Sequence, residues 1–296
     1  MTYLAPLATV QENVTVRRVL DAGVKLLTDT RTDAPKARAE WLLSSLLKLS
    51  RSQLHMEANR HRLTHQQKNT FRAWLRRSTS GEPVQYITGE TEFFGLPFTL
   101  TENVLIPRPE TERLVEIAID EANTSKASSI LDIGTGSGAV AISLARSLKE
   151  ISVAATDNNR SALKVAHLNA EKNGVALRIE FFDHDILNDH IEICFDIILS
   201  NPPYVPLKEY KTLQDNVRCF EPREALTDDA DGLTFYRKFA SEGKNWLREG
   251  GTMILEVGRG EHPFRTKELF ESAGWAKVEL LKDYNGDPRV LKAKRP

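Results

Sequence analysis

The chain has 296 residues, 41% hydrophobic and 27% charged, with a formal net charge of −1. That describes a soluble globular protein with ample core, long enough for one large domain or two ordinary ones. No apolar run approaches a membrane span, residues 1–20 lack a secretory signal pattern, and the two cysteines, Cys194 and Cys219, have no metal-ligand spacing. A cytoplasmic, reducing setting without membrane partner or metal is therefore expected.

The small net charge hides an asymmetry. Residues 1–90 carry 14 Lys+Arg against 8 Asp+Glu, a net +6, while the remainder carries 26 against 33, a net −7. A basic first third can dock an acidic or nucleic-acid-like partner, or it can be the solvated faces of helices; both readings stay open. This third reads as helices. Val16, Val19, Leu20, Val24 and Leu27 fall at helical spacing, and Asp33 with Pro35 is expected to open the next helix, with Trp41, Leu42, Leu46 and Leu49 as its apolar stripe. Ser50 with Gln53 and Thr64 with Gln67 have capping-box spacing, and Gly81 and Pro83 end the helical run. Nothing here carries a catalytic constellation.

Residues 81–109 change texture. Glycine and proline punctuate alternating apolar and polar residues, the pattern of a hairpin linking two domains. The stretch ends in Pro107-Arg108-Pro109-Glu110-Thr111-Glu112, where Pro109 begins a helix with acids in its first turn.

From Ser128 onward strand and helix alternate. Ile130 to Ile133 and Val153 to Thr156 are short strands flanking a helix from Ala139 to Leu148, and further strands are expected at 178–182, 194–200, 252–257 and near 277–281. Such alternation means a mostly parallel sheet with helices on both faces. Gly134-Thr135-Gly136-Ser137-Gly138 follows the first strand and opens a helix, so backbone N–H groups face a ligand at close range. Asp157 ends the second strand, where an acid grips ribose hydroxyls, and Asp185 is expected to end the third. A dinucleotide fold uses the same device. Asp132, just before the glycines, is awkward beside a pyrophosphate and welcome beside a cationic ligand.

Ile197 to Ser200 reads as a buried parallel strand, and Asn201-Pro202-Pro203-Tyr204 follows it directly. The prolines donate no backbone hydrogen bond and keep the chain extended, so the Asn201 amide is expected to lack a local partner and to face a crevice. An amide, nearby carbonyls and an aromatic ring suit a planar group bearing an NH2. With Asp132 this favours S-adenosylmethionine, whose amino group and sulfonium are positive.

At these residues the chain resembles the HemK/PrmC family, the protein-(glutamine-N5) methyltransferases that modify peptide chain release factors. The likeness covers nearly the whole chain. It rests on Gly81-Glu82-Pro83 with Gln85 to Gly89, on Leu105 to Glu112, on Asp132 to Gly138, on the Asn201 tetrad, on Phe220-Glu221-Pro222 with Ala225-Leu226, and on Asp283 to Gly286 leading to Arg289-Val290. The glycine loop and tetrad alone also occur in amino-directed DNA methyltransferases; the Pro-Arg-Pro-Glu-Thr-Glu and Phe-Glu-Pro stretches are more specific. The resemblance implies an α/β, class I (Rossmann-like) S-adenosylmethionine-dependent methyltransferase domain over residues 110–296. A helical substrate-recognition domain over 1–80 and a hairpin linker over 81–109 precede it. It implies that Gly134, Thr135, Gly136, Ser137 and Gly138 hold the methionine part, Asp157 the ribose, and Asp185 and Ile186 the adenine. Some family members place an aromatic residue where this chain has Ile186. Asn201, Pro202, Pro203 and Tyr204 would take the target glutamine, with Asn201, Pro202 and Tyr204 serving catalysis and Asn201 also bordering the cofactor. The implied reaction is N5-methylation of the glutamine in the Gly-Gly-Gln motif of a release factor, modulating translation termination and leaving S-adenosylhomocysteine. The enzyme is expected to be a monomer with no nucleic-acid substrate.

Three rival readings compete with this one. A nucleic-acid amino methyltransferase sits poorly with the −7 balance of the second part and with the lack of a large inserted recognition domain. A non-catalytic module with a relic pocket would not need the intact tetrad. A nicotinamide-dependent dehydrogenase would reveal itself by NADH binding.

Overall fold

The computed structural model describes residues 14–296, so the reading of residues 1–13 as free of a secretory signal lies outside the described residues. The chain divides into two units: the residues up to Gly89 with Asp215–Phe220, and Glu90–Gln214 with Glu221–Pro296.

The first unit is helical: α1 (Val16–Asp29), α2 (Pro35–Leu47), α3 (Arg51–Glu57), α4 (His65–Thr79) and the short α5 (Val84–Thr88). Its core joins Val16, Val19, Leu20 and Leu27 of α1 to Leu42 and Leu43 of α2, Leu54 of α3, and Phe71 and Leu75 of α4. Burying each such side chain is worth about 1.5–3 kcal/mol against leaving it in water. Both capping boxes are present, Ser50 with Gln53 and Thr64 with Gln67. Two local expectations fail. Ala34, in the left-handed region, caps α2 in place of Asp33, because Pro35 already fixes the first helical turn. Trp41 is 39% exposed while Leu42 and Leu43 are buried, so the inward stripe of α2 runs one position away from that ring.

The stretch after Gly81 is helix first and hairpin second. Pro83 O accepts hydrogen bonds from the Tyr86 and Ile87 amides, and Gly89 ends that turn at φ 72°. β1 (Glu90–Phe93) and β2 (Leu96–Thr99) then pair antiparallel around Phe94-Gly95, both at positive φ.

The second unit centres on a seven-stranded sheet of order β5-β4-β3-β6-β7-β9-β8: β3 (Ser129–Ile133), β4 (Ser152–Asp157), β5 (Ile179–Asp183), β6 (Phe195–Ser200), β7 (Leu247–Glu256), β8 (Ala276–Lys282) and β9 (Pro288–Lys294). The first five strands in that order run parallel, and β9 joins antiparallel to β7 and β8. Both faces are covered: Ile197 and Leu199 of β6 belong to one apolar cluster, with Leu114, Val115 and Ile142, while Ile198 belongs to the other, with Tyr236, Phe239 and Phe270. That is why β6 reads as an unbroken apolar run. β9 was not among the expected strands. Its charged residues Arg289, Lys292 and Lys294 break the strand signal, and the place between β7 and β8 supplies what local pattern lacks. Asp185 lies two residues past the end of β5 rather than at it. Strand order reverses between β3 and β6, the switch point outside which ligands bind in open α/β sheets. Among the described residues no helix is long and apolar enough to cross a membrane.

Candidate active site

A cavity of about 350 Å³ opens at the carboxyl ends of β3, β4 and β6. Gly134, Thr135, Gly136, Ser137, Asp157, Asp185, Ile186, Asn201, Pro202 and Pro203 line it together. Two expected members do not. Gly138 caps α7 (Ala139–Ser147), and a Cβ there would lie 2.9 Å from Ile142 and 3.2 Å from Ala166, so this glycine serves helix packing. Tyr204 lines a second cavity, of about 780 Å³, together with Arg108, Glu110, Glu256, His262 and Arg289.

The glycine loop is held by short-range hydrogen bonds. Gly134 N and Thr135 N both donate to Thr156 O, at 2.8 and 2.9 Å, and the Thr135 hydroxyl donates to Asp132 Oδ2 at 2.7 Å. Gly134 and Gly136 both have positive φ, and a Cβ on either would meet nothing within 4 Å, so their backbone faces open space. Asp157 braces the loop by accepting Gly136 N on Oδ2 and Asn159 N on Oδ1, each at 2.9 Å. Asp185 accepts Leu187 N at 3.0 Å and Asn188 Nδ2 at 2.8 Å. Burial pushes Asp132 up to about 6, Thr135 opposes it, and the nearby Asp157 adds to it; burial also raises Asp157. Two carboxylates held against their preference for water, beside an exposed backbone, fit a ligand that is cationic at one end and a nucleoside at the other.

The opposite wall is built from side chains. Asn201 finds no side-chain partner near it in sequence, as expected, but one far from it. Its Nδ2 donates to Thr111 Oγ1 at 3.2 Å, and Thr111 in turn donates to Glu256 Oε2 at 2.6 Å. Thr111 lies in the first turn of α6 (Pro109–Ser125), and Glu256 ends β7, the strand beside β6. The other Glu256 oxygen, Oε1, accepts the Tyr204 hydroxyl at 3.3 Å, and the Tyr236 hydroxyl donates to the Glu256 carbonyl at 2.6 Å. Burial pushes Glu256 up to about 7, against the Thr111 hydrogen bond and the charge of Arg289. Burial and Glu256 hold Tyr204 above its ordinary value. The Tyr204 carbonyl sits where a Cβ on Gly232 would come within 2.4 Å, so only glycine admits that approach.

Two stretches far apart in sequence meet beside this wall. Arg108 Nη2 donates to Glu221 Oε1 at 2.5 Å, joining Pro107 to Glu112 with the Phe-Glu-Pro segment. Glu110 instead faces Arg259 at 3.6 Å. The Asp283 to Gly286 turn places Arg289, buried at 3% exposure, 3.6 Å from Asp283. Sequence reading missed Glu256 and the role of Thr111. Glu256 did carry a signal, since an acid closing the buried run Met253-Ile254-Leu255 repeats the pattern that singled out Asp157. Among the described residues no cluster of three or more His, Cys, Asp or Glu is arranged to hold a metal.

Known proteins resemble the chain along most of its length. The PrmC N-terminal domain family matches residues 18–89, and the Methyltransferase small domain family matches 112–218. The Release factor glutamine methyltransferase of Chlorobaculum tepidum is 39% identical over 285 residues, 93% of this chain and 96% of that one. Those of Geobacter sulfurreducens and Fusobacterium nucleatum are 36% and 35% identical, each over 94% of this chain and over 95% and 78% of theirs. The chain belongs to the release factor glutamine methyltransferase family. A solved methyltransferase from Pyrococcus furiosus has the same fold over 68% of this chain and 90% of its own, with a TM-score of 0.50 at 22% identity. As in the reading from sequence, the fold of this family member is a class I methyltransferase sheet with a helical region ahead of it.

Proposed function

We propose that this protein methylates the side-chain nitrogen N5 of the glutamine in the Gly-Gly-Gln motif of peptide chain release factors, in the cytoplasm, and so modulates translation termination. The observation that carries the reading is the polarity of Asn201 at the cavity mouth. Its Nδ2 is committed to Thr111, and among the described residues its Oδ1 receives no donor. An acceptor fixed there meets a substrate NH2, not a substrate carbonyl.

Gly134 to Ser137, Asp157, Asp185 and Ile186 would hold S-adenosylmethionine, with Asp132 favouring its positive end and Asp157 its ribose. When bound, this cofactor supplies an electrophilic methyl group and leaves as S-adenosylhomocysteine. A carboxamide nitrogen is a weak nucleophile because its lone pair is delocalised into the carbonyl. It needs no strong base first, since its proton can leave to water after the new N–C bond forms. Asn201 Oδ1 and the Pro202 carbonyl, accepting both N–H groups, orient the nitrogen and stabilise positive charge growing on it. Positioning of this kind is worth roughly 7–11 kcal/mol of barrier in well-oriented systems. Tyr204, on the second cavity, would meet the residues flanking the glutamine, and the basic helical unit would recognise the rest of the protein substrate.

The test is radiolabelled methyl transfer to a release factor whose Gly-Gly-Gln glutamine is intact or replaced by glutamate. Label is expected on the intact protein alone. Equal labelling of both would place the methyl group elsewhere and end the proposal.

A further inference from the structure

Glu256 accepts from both sides of the tetrad at once. It is 1% exposed, ends the strand next to β6, takes the Thr111 hydroxyl on one oxygen and the Tyr204 hydroxyl on the other. Nothing in the proposed chemistry needs a buried carboxylate there, and burying one is costly unless it is well partnered. Its hydrogen-bond character explains its place. An ionised carboxylate can only accept. Thr111 has one hydroxyl proton, and giving it to Glu256 leaves Thr111 able only to accept from Asn201. Asn201 must then turn its NH2 toward Thr111, which leaves its carbonyl oxygen for the cavity. The two ends of an amide are close in shape, so packing alone selects weakly between them. The direction of proton donation along the relay selects strongly.

We infer that Thr111 and Glu256 are positioning residues that set the polarity of Asn201, so that the site offers an acceptor and not a donor to the substrate carboxamide. This rests on the proposed role of Asn201. With a neutral amide or a protonated acid at position 256, the relay can run backwards: residue 256 donates to Thr111, Thr111 donates to Asn201 Oδ1, and the Asn201 NH2 faces the substrate NH2. Two donors then oppose each other.

The groups that face Glu256 come from four places: Thr111 and Glu110 from α6, Tyr204 from the tetrad, Tyr236 from the helix Thr234–Trp246, and Arg289 from β9, itself paired with Asp283. Arg108 lines the same second cavity, and His262, on the helix after β7, packs against Tyr204 and Tyr236. Of these, Arg289 favours the ionised carboxylate and Glu110 opposes it.

The experiment compares Thr111→Val, which keeps the shape and loses the hydroxyl, with Thr111→Ser, which keeps the hydroxyl, and adds Glu256→Gln as an independent break of the relay. Three readouts are taken: kcat and KM for a Gly-Gly-Gln peptide, calorimetric affinity for S-adenosylmethionine, and the side-chain NH2 resonances of Asn201, assigned by their loss in Asn201→Ala. T111V and E256Q should lower kcat roughly 10- to 100-fold. Cofactor affinity should stay within about twofold in both, because neither touches the glycine loop. T111S should recover most of the rate lost in T111V. The Asn201 NH2 signals should move in T111V and E256Q without cofactor or substrate present, and return in T111S. The part of the acidic limb that Glu256 contributes to the wild-type rate profile should be missing in E256Q, while that of Asp132 remains. Should T111V and E256Q keep wild-type kcat while N201A is inactive, the relay is dispensable and this inference fails, with the proposed function intact. Unmoved Asn201 signals, or a rate lost in parallel with cofactor affinity and melting temperature, would equally reduce the relay to scaffold. An active N201A would remove the proposed function itself.

Discussion

The two walls of the cavity are made of different material. The glycine wall is backbone, braced mostly by bonds between Asp132 and Asn159, with Asn169 Nδ2 donating to Ser137 O from further along the chain. The opposite wall presents the side chains of Thr111 and Asn201, backed by Tyr204, Glu256 and Arg289 of the second cavity, which the pairing of β6 with β7 and of β7 with β9 brings together. A backbone wall tolerates any ligand that fits its shape and hydrogen bonds, and it serves many methyltransferases. A side-chain wall has polarity and therefore discriminates between an amide and its neighbours. Binding should reside mainly in the first wall and turnover mainly in the second.

Asn201→Ala gives the largest expected effect on that division. Removing one fixed group that meets developing charge costs on the order of 100- to 1,000-fold in kcat, while calorimetric cofactor affinity should change far less. A variant that binds cofactor poorly and turns over normally when saturated would reverse the assignment of the two walls.

The electrostatics of the second wall can be probed without substrate. Glu256 is held at about 7 in the folded protein, against 4.5 when unperturbed. Below 4.5 it is protonated in both states, and above 7 it is ionised in both. Between these values the folded state holds a proton that the unfolded state has lost, so stability falls as pH rises. Glu256→Gln removes this titration and leaves Asp132, pushed up to about 6, to titrate alike in both proteins. The stability advantage of wild type over E256Q, from urea unfolding at pH 5 to 8, should therefore shrink with rising pH, by up to about 3 kcal/mol at 1.36 kcal/mol per unit. A difference independent of pH would mean that Glu256 is not held by burial in the way described.

The first wall responds to Asp157→Ala. Each hydrogen bond to a charged group is worth about 1.5–3 kcal/mol, so cofactor affinity should weaken roughly 10- to 150-fold, through the lost ribose contact and the unbraced Gly136 amide. Unchanged affinity in a folded variant would show that Asp157 neither holds the ribose nor braces the loop in a way that binding needs.

The same contrast explains what could be read from sequence. Gly134 to Ser137 and Asp157 were legible because their geometry is dictated locally, by glycines that must take positive φ and by an acid at a strand end. The capping boxes at Ser50 and Thr64 were legible for the same reason. The Thr111–Asn201 bond spans 90 positions and the Thr111–Glu256 bond 145, and no periodicity carries such a pairing. β9 escaped notice because its lysines face the strand signal with charge, although the sheet around it buries Val290, Leu291 and Ala293. Tyr204 was legible as part of the tetrad but not as a member of the second cavity, since the turn at Gly232 that positions its carbonyl lies 28 residues away.

The smallest expected effect concerns the helical unit, which shares no residue with either wall. Residues 1–90 carry a net +6, and Arg17, Arg18 and Arg76 are exposed. If that charge serves substrate recognition, it acts on encounter with an intact release factor and leaves the chemical step alone. A short Gly-Gly-Gln peptide offers too little surface to use it, because specific protein interfaces bury on the order of 1,200–2,000 Å². Reversing all three arginines to glutamate should thus raise KM for the intact protein several-fold, leave kcat unchanged, and leave the peptide reaction untouched. Exposed charges are screened beyond about 8 Å at physiological ionic strength, so raising the salt should bring wild type and variant together. Equal KM values for the intact substrate at low salt would make those charges a solvated surface and nothing more, and would leave recognition to the apolar and polar contacts of the two units. A rise in KM for the peptide as well would mean that the reversal disturbed the catalytic unit, and the variant would then say nothing in favour of recognition by the helices.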